Sequence, residues 1–309
     1  MTTHNPTLTG QLTDIPPYQP RRQWRSQMLP VRNMHYHQRS WEPEPVSGID
    51  PELPVLVLAH GWMDVAASYQ FVVDAFSDAF VQGRRIVAHD WRGFGLSRST
   101  EPCDSYYFTD YLADLDMLLE QISPDRPIDL VGHSMGGMVA LQTAAEHPER
   151  VAGLVLACCT PAFGASAGPL QQAFLAKRLG PLDEGASMRE LAIDLIPGMV
   201  GPGGEAELVH DAVNLMEQIP PDSYRRALRA VVGFDQRSAL ARIAVPALVI
   251  AGTHDKVSTP QVVRRMAERL PAGVYREIDA GHLAPFEEPA TFAALVCEFL
   301  AGLDHIPVI

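Results

Sequence analysis

One stretch, IDLVGHSMGGMVALQTAAEH at positions 128–147, constrains this chain more than any other. Ile128, Leu130 and Val131 make an apolar run of strand length, and from Met135 small and helix-favouring residues continue to the stop at Pro148. Between strand and helix lies Gly132-His133-Ser134-Met135-Gly136, a G-x-S-x-G turn that bends so sharply that small residues are required on either side of the serine. The bend lifts the Ser134 hydroxyl above the sheet, and the helix behind it points unpaired N–H groups at whatever the serine attacks. An ordinary strand-to-helix turn can carry a serine by chance. The pattern gains chemical meaning only if the chain also supplies a base, an acid and a second donor for a developing oxyanion.

The rest of the chain has the right texture for such a turn. Val55 to Leu58 is a continuous apolar strand ending in His60-Gly61-Trp62, and a helix over 66–80, a strand over 85–90 and a helix over 108–122 follow it. Leu112, Leu115, Leu118 and Leu119 give the last of these one apolar stripe. Val151 to Cys159 is another buried strand. This alternation implies right-handed βαβ units and a mostly parallel sheet. It breaks over 161–235, where only helical patches separated by Pro and Gly occur, and resumes with ALVIAGTHD, a helix over 260–269, VYREIDAGH and a last helix to about Leu300. The expected organisation is a flexible N-terminal arm over 1–23, a core domain over 24–160 and 236–309, and a helical subdomain over 161–235. Two runs between Trp24 and Trp41 pair as antiparallel strands turning near Asn33, with His35 and His37 on one exposed edge face and Arg21, Arg22, Arg25 and Arg32 on a solvated one.

Composition excludes some partners. A net charge of −13 over 309 residues argues against nucleic acid, which needs a basic surface. No apolar run approaches a membrane span, and the polar, proline-rich N-terminus lacks the pattern of a secretion signal, so a cytoplasmic location is expected. Cys103, Cys158, Cys159 and Cys297 form no metal or redox pattern. No metal or cofactor is expected, and the oligomeric state stays open.

Serine needs a general base, and histidine serves near neutral pH. His282, in Ala280-Gly281-His282 after the last strand, lies at the sheet edge where the elbow also lies. A carboxylate must hold its imidazole in one tautomer. Asp255 fits, just past the strand ALVIAG and one strand before the histidine. Asp279 is more naturally a turn residue, Asp90 ends a strand on the other side of the elbow, and nothing acidic follows the strand ending at Cys159. The oxyanion donors expected are the N–H groups of Met135 and Trp62. A pocket beneath the helical segment would be lined by Trp62, Met135, Phe163, Phe234, Val257 and Leu283, with Met199 and Met216 serving packing. Among the segment's arginines, Arg178, Arg189, Arg225 and Arg229 either meet a carboxylate or face water.

With these residues assembled the chain resembles the α/β-hydrolase superfamily over about residues 24–303. The resemblance rests on His60-Gly61-Trp62, Asp90-Trp91-Arg92-Gly93-Phe94-Gly95-Leu96-Ser97, Gly132 to Gly137, Gly252 to Asp255 and Gly281-His282. It implies an α/β-hydrolase fold with a helical cap over 161–235, and a structural role for the Asp90–Ser97 loop. The segment GFDQRSALARIAVPALVIAG is similar to the 3-oxoadipate enol-lactonase branch and neighbouring carboxylesterases. Haloalkane dehalogenases and most epoxide hydrolases carry aspartate where Ser134 stands. The implied activity is hydrolysis of a small-molecule ester or lactone through an acyl-enzyme on Ser134. The alternatives are carbon–carbon bond hydrolysis, cofactor-free perhydrolase or haloperoxidase chemistry with the same residues, or a non-catalytic small-ligand receptor.

Overall fold

A computed structural model describes residues 18–43, 53–103, 105–163, 168–204 and 206–303. The expectation of a flexible arm falls mostly outside these residues. Where residues 18–23 are described, they dock on the core. Tyr18 and the backbone N–H groups of Arg21 and Arg22 all donate to the Asp74 carboxylate, and both arginine side chains reach Asp78. Arg21, Arg25 and Arg32 are exposed, as the solvated face expected for them requires, and Arg21 and Arg32 also pair with acids there; Arg22 departs from it, half-buried against Asp78.

Among the described residues nine strands form one sheet: β1 (Arg25–Val31), β2 (Met34–Trp41), β3 (Leu56–Ala59), β4 (Ile86–His89), β5 (Arg98–Ser99), β6 (Ile128–His133), β7 (Val151–Ala157), β8 (Ala247–Gly252) and β9 (Gly273–Ile278). Their order is β1-β2-β4-β3-β6-β7-β8-β9, with β5 beside β2. The strands from β4 through β9 in that order are parallel, and β1, β2 and β5 pair antiparallel. The register of β3 on β6 sets Ala59 opposite Gly132, which places His60-Gly61-Trp62 beside the elbow.

The central strands read as continuous apolar runs because helices cover both faces. In β3, Leu56 and Leu58 pack with one cluster, containing Val72 of α1 (Tyr69–Ala75), Phe76 just beyond it, and Phe292 and Val296 of α11 (Pro289–Ala301). Val57 and Ala59 pack with the other, containing Leu115, Leu118 and Val139 from α3 (Phe108–Ile122) and α4 (Met135–Glu146). The helix expected over 66–80 is broken. A 3₁₀ turn precedes α1, the chain is extended at Phe76 and Ser77, and α2 (Asp78–Gln82) restarts with the Ser77 hydroxyl as its cap.

β2 is an interior strand, contrary to the edge expected for it, because β1 and β4 flank it. His37 is buried, donating from Nδ1 to Asp90 at 2.8 Å and accepting the Ser26 hydroxyl at 2.6 Å, while His35 is exposed. Asp90 also accepts from the N–H groups of Ala66 and Leu96, so it anchors the Asp90–Ser97 loop. Burial opposes its ionisation, yet these hydrogen bonds hold its carboxyl below the usual range. Two residues on, Arg92 forms a buried pair with Asp114 of α3, which also accepts the Tyr36 hydroxyl. Neither Asp90 nor Asp114 is free for chemistry at the elbow.

Between β7 and β8 the chain leaves the sheet and forms α5 (Pro169–Asp183), α6 (Met188–Leu195), α7 (Ala206–Glu217) and α8 (Pro221–Val231). The two ends of the excursion meet. Ala162 bridges Asp235, and the Phe163 N–H donates to the Phe234 carbonyl at 2.9 Å. Then α9 (Pro260–Ala267), a short α10 (Ala284–Glu287) and α11 complete the chain. Cys158 and Cys159 follow β7 fully buried, and burial pushes the Cys159 thiol up to about 12, which leaves it unreactive. No helix among the described residues is long and apolar enough to cross a membrane.

Candidate active site

Ser134 stands between β6 and α4 with φ 52° and ψ −118°, a left-handed backbone that an L-residue holds only where its surroundings enforce it. The enforcement is visible at Gly136, where an added Cβ would lie 2.0 Å from the Ala59 carbonyl oxygen. Only glycine lets α4 start this close to β3.

Three residues that are far apart in the chain converge here. The Ser134 hydroxyl donates to His282 Nε2 at 3.0 Å, and His282 Nδ1 donates to Asp255 Oδ2 at 2.8 Å. The other Asp255 oxygen accepts the N–H groups of Val257 and Ser258 at 2.7 and 3.0 Å. All three side chains are buried, at 5, 2 and 3% exposure for Ser134, His282 and Asp255, so little solvent competes for their hydrogen bonds. With Nδ1–H fixed on a carboxylate, Nε2 is left as the acceptor facing serine.

The loop carrying His282 is clamped from both sides. Its N–H donates to the Met199 carbonyl at 2.7 Å. The Glu287 carboxylate accepts the N–H groups of Gly281, Leu283 and, from the helical segment, Gly201. Burial pushes the Glu287 carboxyl up while these bonds pull it down. Asp279 instead takes the His254 imidazole and is exposed, in keeping with a turn residue.

Met135 and Trp62, expected as oxyanion donors, both belong to segments beside Ser134. Met135 opens α4, so its N–H has no acceptor inside the helix. Gly61 abuts the nucleophile, a Cβ there lying 3.2 Å from Ser134 Cβ, and this brings the Trp62 peptide beside the serine.

A narrow apolar cavity of about 20 Å³, room for about one water molecule, lies over Ser134 and His282. Trp62 and Leu283 line it as expected. Met135, Phe163, Phe234 and Val257 do not: Phe163 stacks on Phe174, Phe234 stacks on Phe108, and Met135 and Val257 join the hydrophobic core. Met199 belongs to the lining, along with Ile196, Ala212 and Phe286, whereas Met216 packs as expected. The walls are set by how the helical segment folds back, which local pattern does not encode.

Two polar lining residues escaped the sequence reading. His133 donates from Nε2 to the His282 carbonyl at 2.7 Å, and burial, with the nearby His282, lowers its pKa to about 3, so it stays neutral. Asp64 follows Trp62 and Met63 directly, and an acid this close to an oxyanion loop was the signal for it. Burial raises its carboxyl to about 8, against the hydrogen bond from the Val65 N–H, with Asp90 adding to the rise. The folded chain therefore keeps the Asp64 proton over a window, from about 4 to about 8, in which the unfolded chain has lost it. Stability falls as pH rises through that window. Asp64→Asn removes the dependence, so its stability relative to the parent should grow by roughly 1–4 kcal/mol between pH 5 and 8 in urea unfolding. A difference independent of pH would contradict the assignment.

No group of three or more metal-ligating side chains occurs among the described residues. The arrangement can activate a hydroxyl, hold an imidazolium and receive an oxyanion, which together are the requirements of acyl transfer.

Comparison with known proteins agrees with the fold. A family model described as serine aminopeptidase, S33, matches residues 51–280. Epoxide hydrolase A of Mycobacterium tuberculosis is 30% identical over 308 residues, covering 82% of this chain and 92% of that protein. The 3-oxoadipate enol-lactonase 2 of Acinetobacter baylyi is 25% identical over 243 residues, covering 77 and 85%. Among solved structures, the enol-lactonase from Burkholderia xenovorans LB400 superposes with a TM-score of 0.77 at 24% identity, covering 89% of this chain and all of that one.

Proposed function

This chain belongs to the α/β-hydrolase superfamily, and from that premise we propose that it is a serine hydrolase cleaving a carboxylic ester or lactone of a small molecule through an acyl-enzyme on Ser134. The observation that carries the reading is the 3.0 Å contact from Ser134 Oγ to a His282 imidazole already held by Asp255, at the floor of an apolar pocket. His282 takes the serine proton as Oγ attacks the carbonyl, and the N–H groups of Met135 and Trp62 receive the oxyanion. His282 then gives its proton to the departing alcohol. Water repeats the sequence in reverse and frees Ser134.

The identity of the nucleophile favours acyl chemistry over the epoxide opening in the name of the 30% identical relative. A carboxylate that opens an epoxide leaves an ester, which water hydrolyses. A serine oxygen would leave an ether, which this machinery has no means to cleave. A lactone is a cyclic ester and presents the same carbonyl as an open one, so the two stay together in the proposal.

A panel of p-nitrophenyl esters of rising chain length, run beside simple lactones, tests it. The cavity above Ser134 is small and apolar, so short acyl chains should be preferred over long ones. Failure to turn over any ester or lactone would defeat the reading. Turnover confined to a carbon–carbon substrate or to peroxide would replace it with one of the rival chemistries.

A further inference from the structure

On the side of Trp62 that faces the helical segment, a cationic side chain sits without a counter-ion. Phe174 and Arg178 lie four residues apart on α5, so they share a helix face. The Arg178 guanidinium stacks 3.8 Å from the Phe174 ring centre and 5.3 Å from that of Trp62. Tyr224 of α8 closes the group, its ring 5.6 Å from Trp62. Arg225 pairs with Asp183 and Asp222, and Arg189 pairs with Glu217. Arg178 makes no ion pair among the described residues, and its Nε is buried without an acceptor. The Tyr224 hydroxyl, on a side chain with no exposure, likewise has no hydrogen-bond partner among the described residues.

Buried polar groups are satisfied in folded proteins, and a desolvated cation is normally paired. Burial lowers the Arg178 pKa and raises that of Tyr224, each group feeling the other and no carboxylate raising Arg178. Two donor side chains, one of them charged, thus lie against the same indole, and neither Arg178 Nε nor the Tyr224 hydroxyl has an acceptor among the described residues. Both lie against Trp62, whose indole is also a wall of the pocket above Ser134. Arg178 itself keeps partial solvent access, so an anion can reach it.

We propose that Arg178 and Tyr224 form an anion subsite that receives a carboxylate carried by the substrate, making the preferred substrates acidic esters or lactones. This rests on the ester-hydrolase reading above and deepens it. A carboxylate accepts the guanidinium fork and the tyrosine hydroxyl together, and the aromatic rings exclude water from the pair. The protein carries a net charge of −13, so a local cation is what such a substrate would need on approach.

The experiment compares monomethyl glutarate with dimethyl glutarate, which differ in one negative charge. In Arg178→Met the ratio of kcat/KM for the acid ester to that for the neutral ester should fall about 10- to 100-fold, and in Tyr224→Phe by less. Arg178→Lys, which keeps the charge and loses the fork, should recover part of the ratio. A ratio unchanged within threefold in Arg178→Met would overturn the subsite while leaving the ester reading intact. Glutarate binding, measured calorimetrically on parent and variant, reads the subsite without turnover. A tenfold or greater loss of affinity in Arg178→Met supports it even if neither ester is cleaved, and equal affinities, or no binding to the parent, overturn it.

Discussion

Replacing Ser134 with alanine should lower kcat on the best ester by about 10³- to 10⁶-fold with KM changed far less. Among the described residues that line the pocket, the Ser134 hydroxyl is the one that faces a base, donating to His282 Nε2 at 3.0 Å, and Met135 follows it at the start of α4. Alanine leaves the proposed oxyanion donors and the pocket in place, so the residual rate reports what transition-state binding achieves alone. The methyl group fits wherever the serine side chain did, and the variant should fold normally. Activity within tenfold of the parent would mean that another group is the nucleophile.

Asp255→Asn should cost about 10³- to 10⁴-fold in kcat with little loss of stability. The reason is tautomeric. One Asp255 oxygen accepts two backbone N–H groups, from Val257 and Ser258. The asparagine carbonyl inherits that position, and its NH₂ then points at His282 Nδ1, where the parent has an acceptor. Nδ1 must lose its proton to accept, so Nε2 carries one and can no longer take the proton of Ser134. The fold is kept while the base is turned to the wrong state. If kcat for Asp255→Asn stays within tenfold, Asp255 does not orient the imidazole.

How much of this was legible beforehand depended on whether the information was local. The helix Phe108–Ile122 is readable from its leucine spacing, and the elbow from Gly132, Ser134 and Gly136, because each is dictated within one turn of chain. The choice of Asp255 and His282 needed only strand order, and the structure brings both to Ser134. Features made by distant segments were not legible. β2 reads as an edge strand because nothing in MHYHQRSW reveals that β4 will lie against it, so the burial of His37 on Asp90 could not be foreseen. The acid partners of Arg21 and Arg22 were hidden because Asp74 and Asp78 lie more than fifty residues away. The pocket fared worst. Phe163 and Phe234 are aromatic and flank the helical segment, yet they meet Phe174 and Phe108, and smaller residues such as Ala212 and Ile196 face the serine instead.

The buried acids show how one residue type takes different roles by environment. Asp114 and Asp90 are saturated by Arg92, Tyr36, His37 and backbone donors, and they hold loops. Asp255 has two backbone donors on one oxygen and an imidazole on the other, which leaves it as a fixed electrostatic partner. Asp64 has few partners and retains its proton near neutral pH. Donor count, more than burial itself, separates them.

The most direct measurement is intact-protein and peptide mass spectrometry after treatment with a fluorophosphonate, which phosphonylates a serine only when base and oxyanion donors have activated it. The account predicts one adduct per chain, on Ser134, absent from Ser134→Ala and strongly slowed in Asp255→Asn. An unlabelled folded protein, or an adduct carried by any residue other than Ser134, would contradict it.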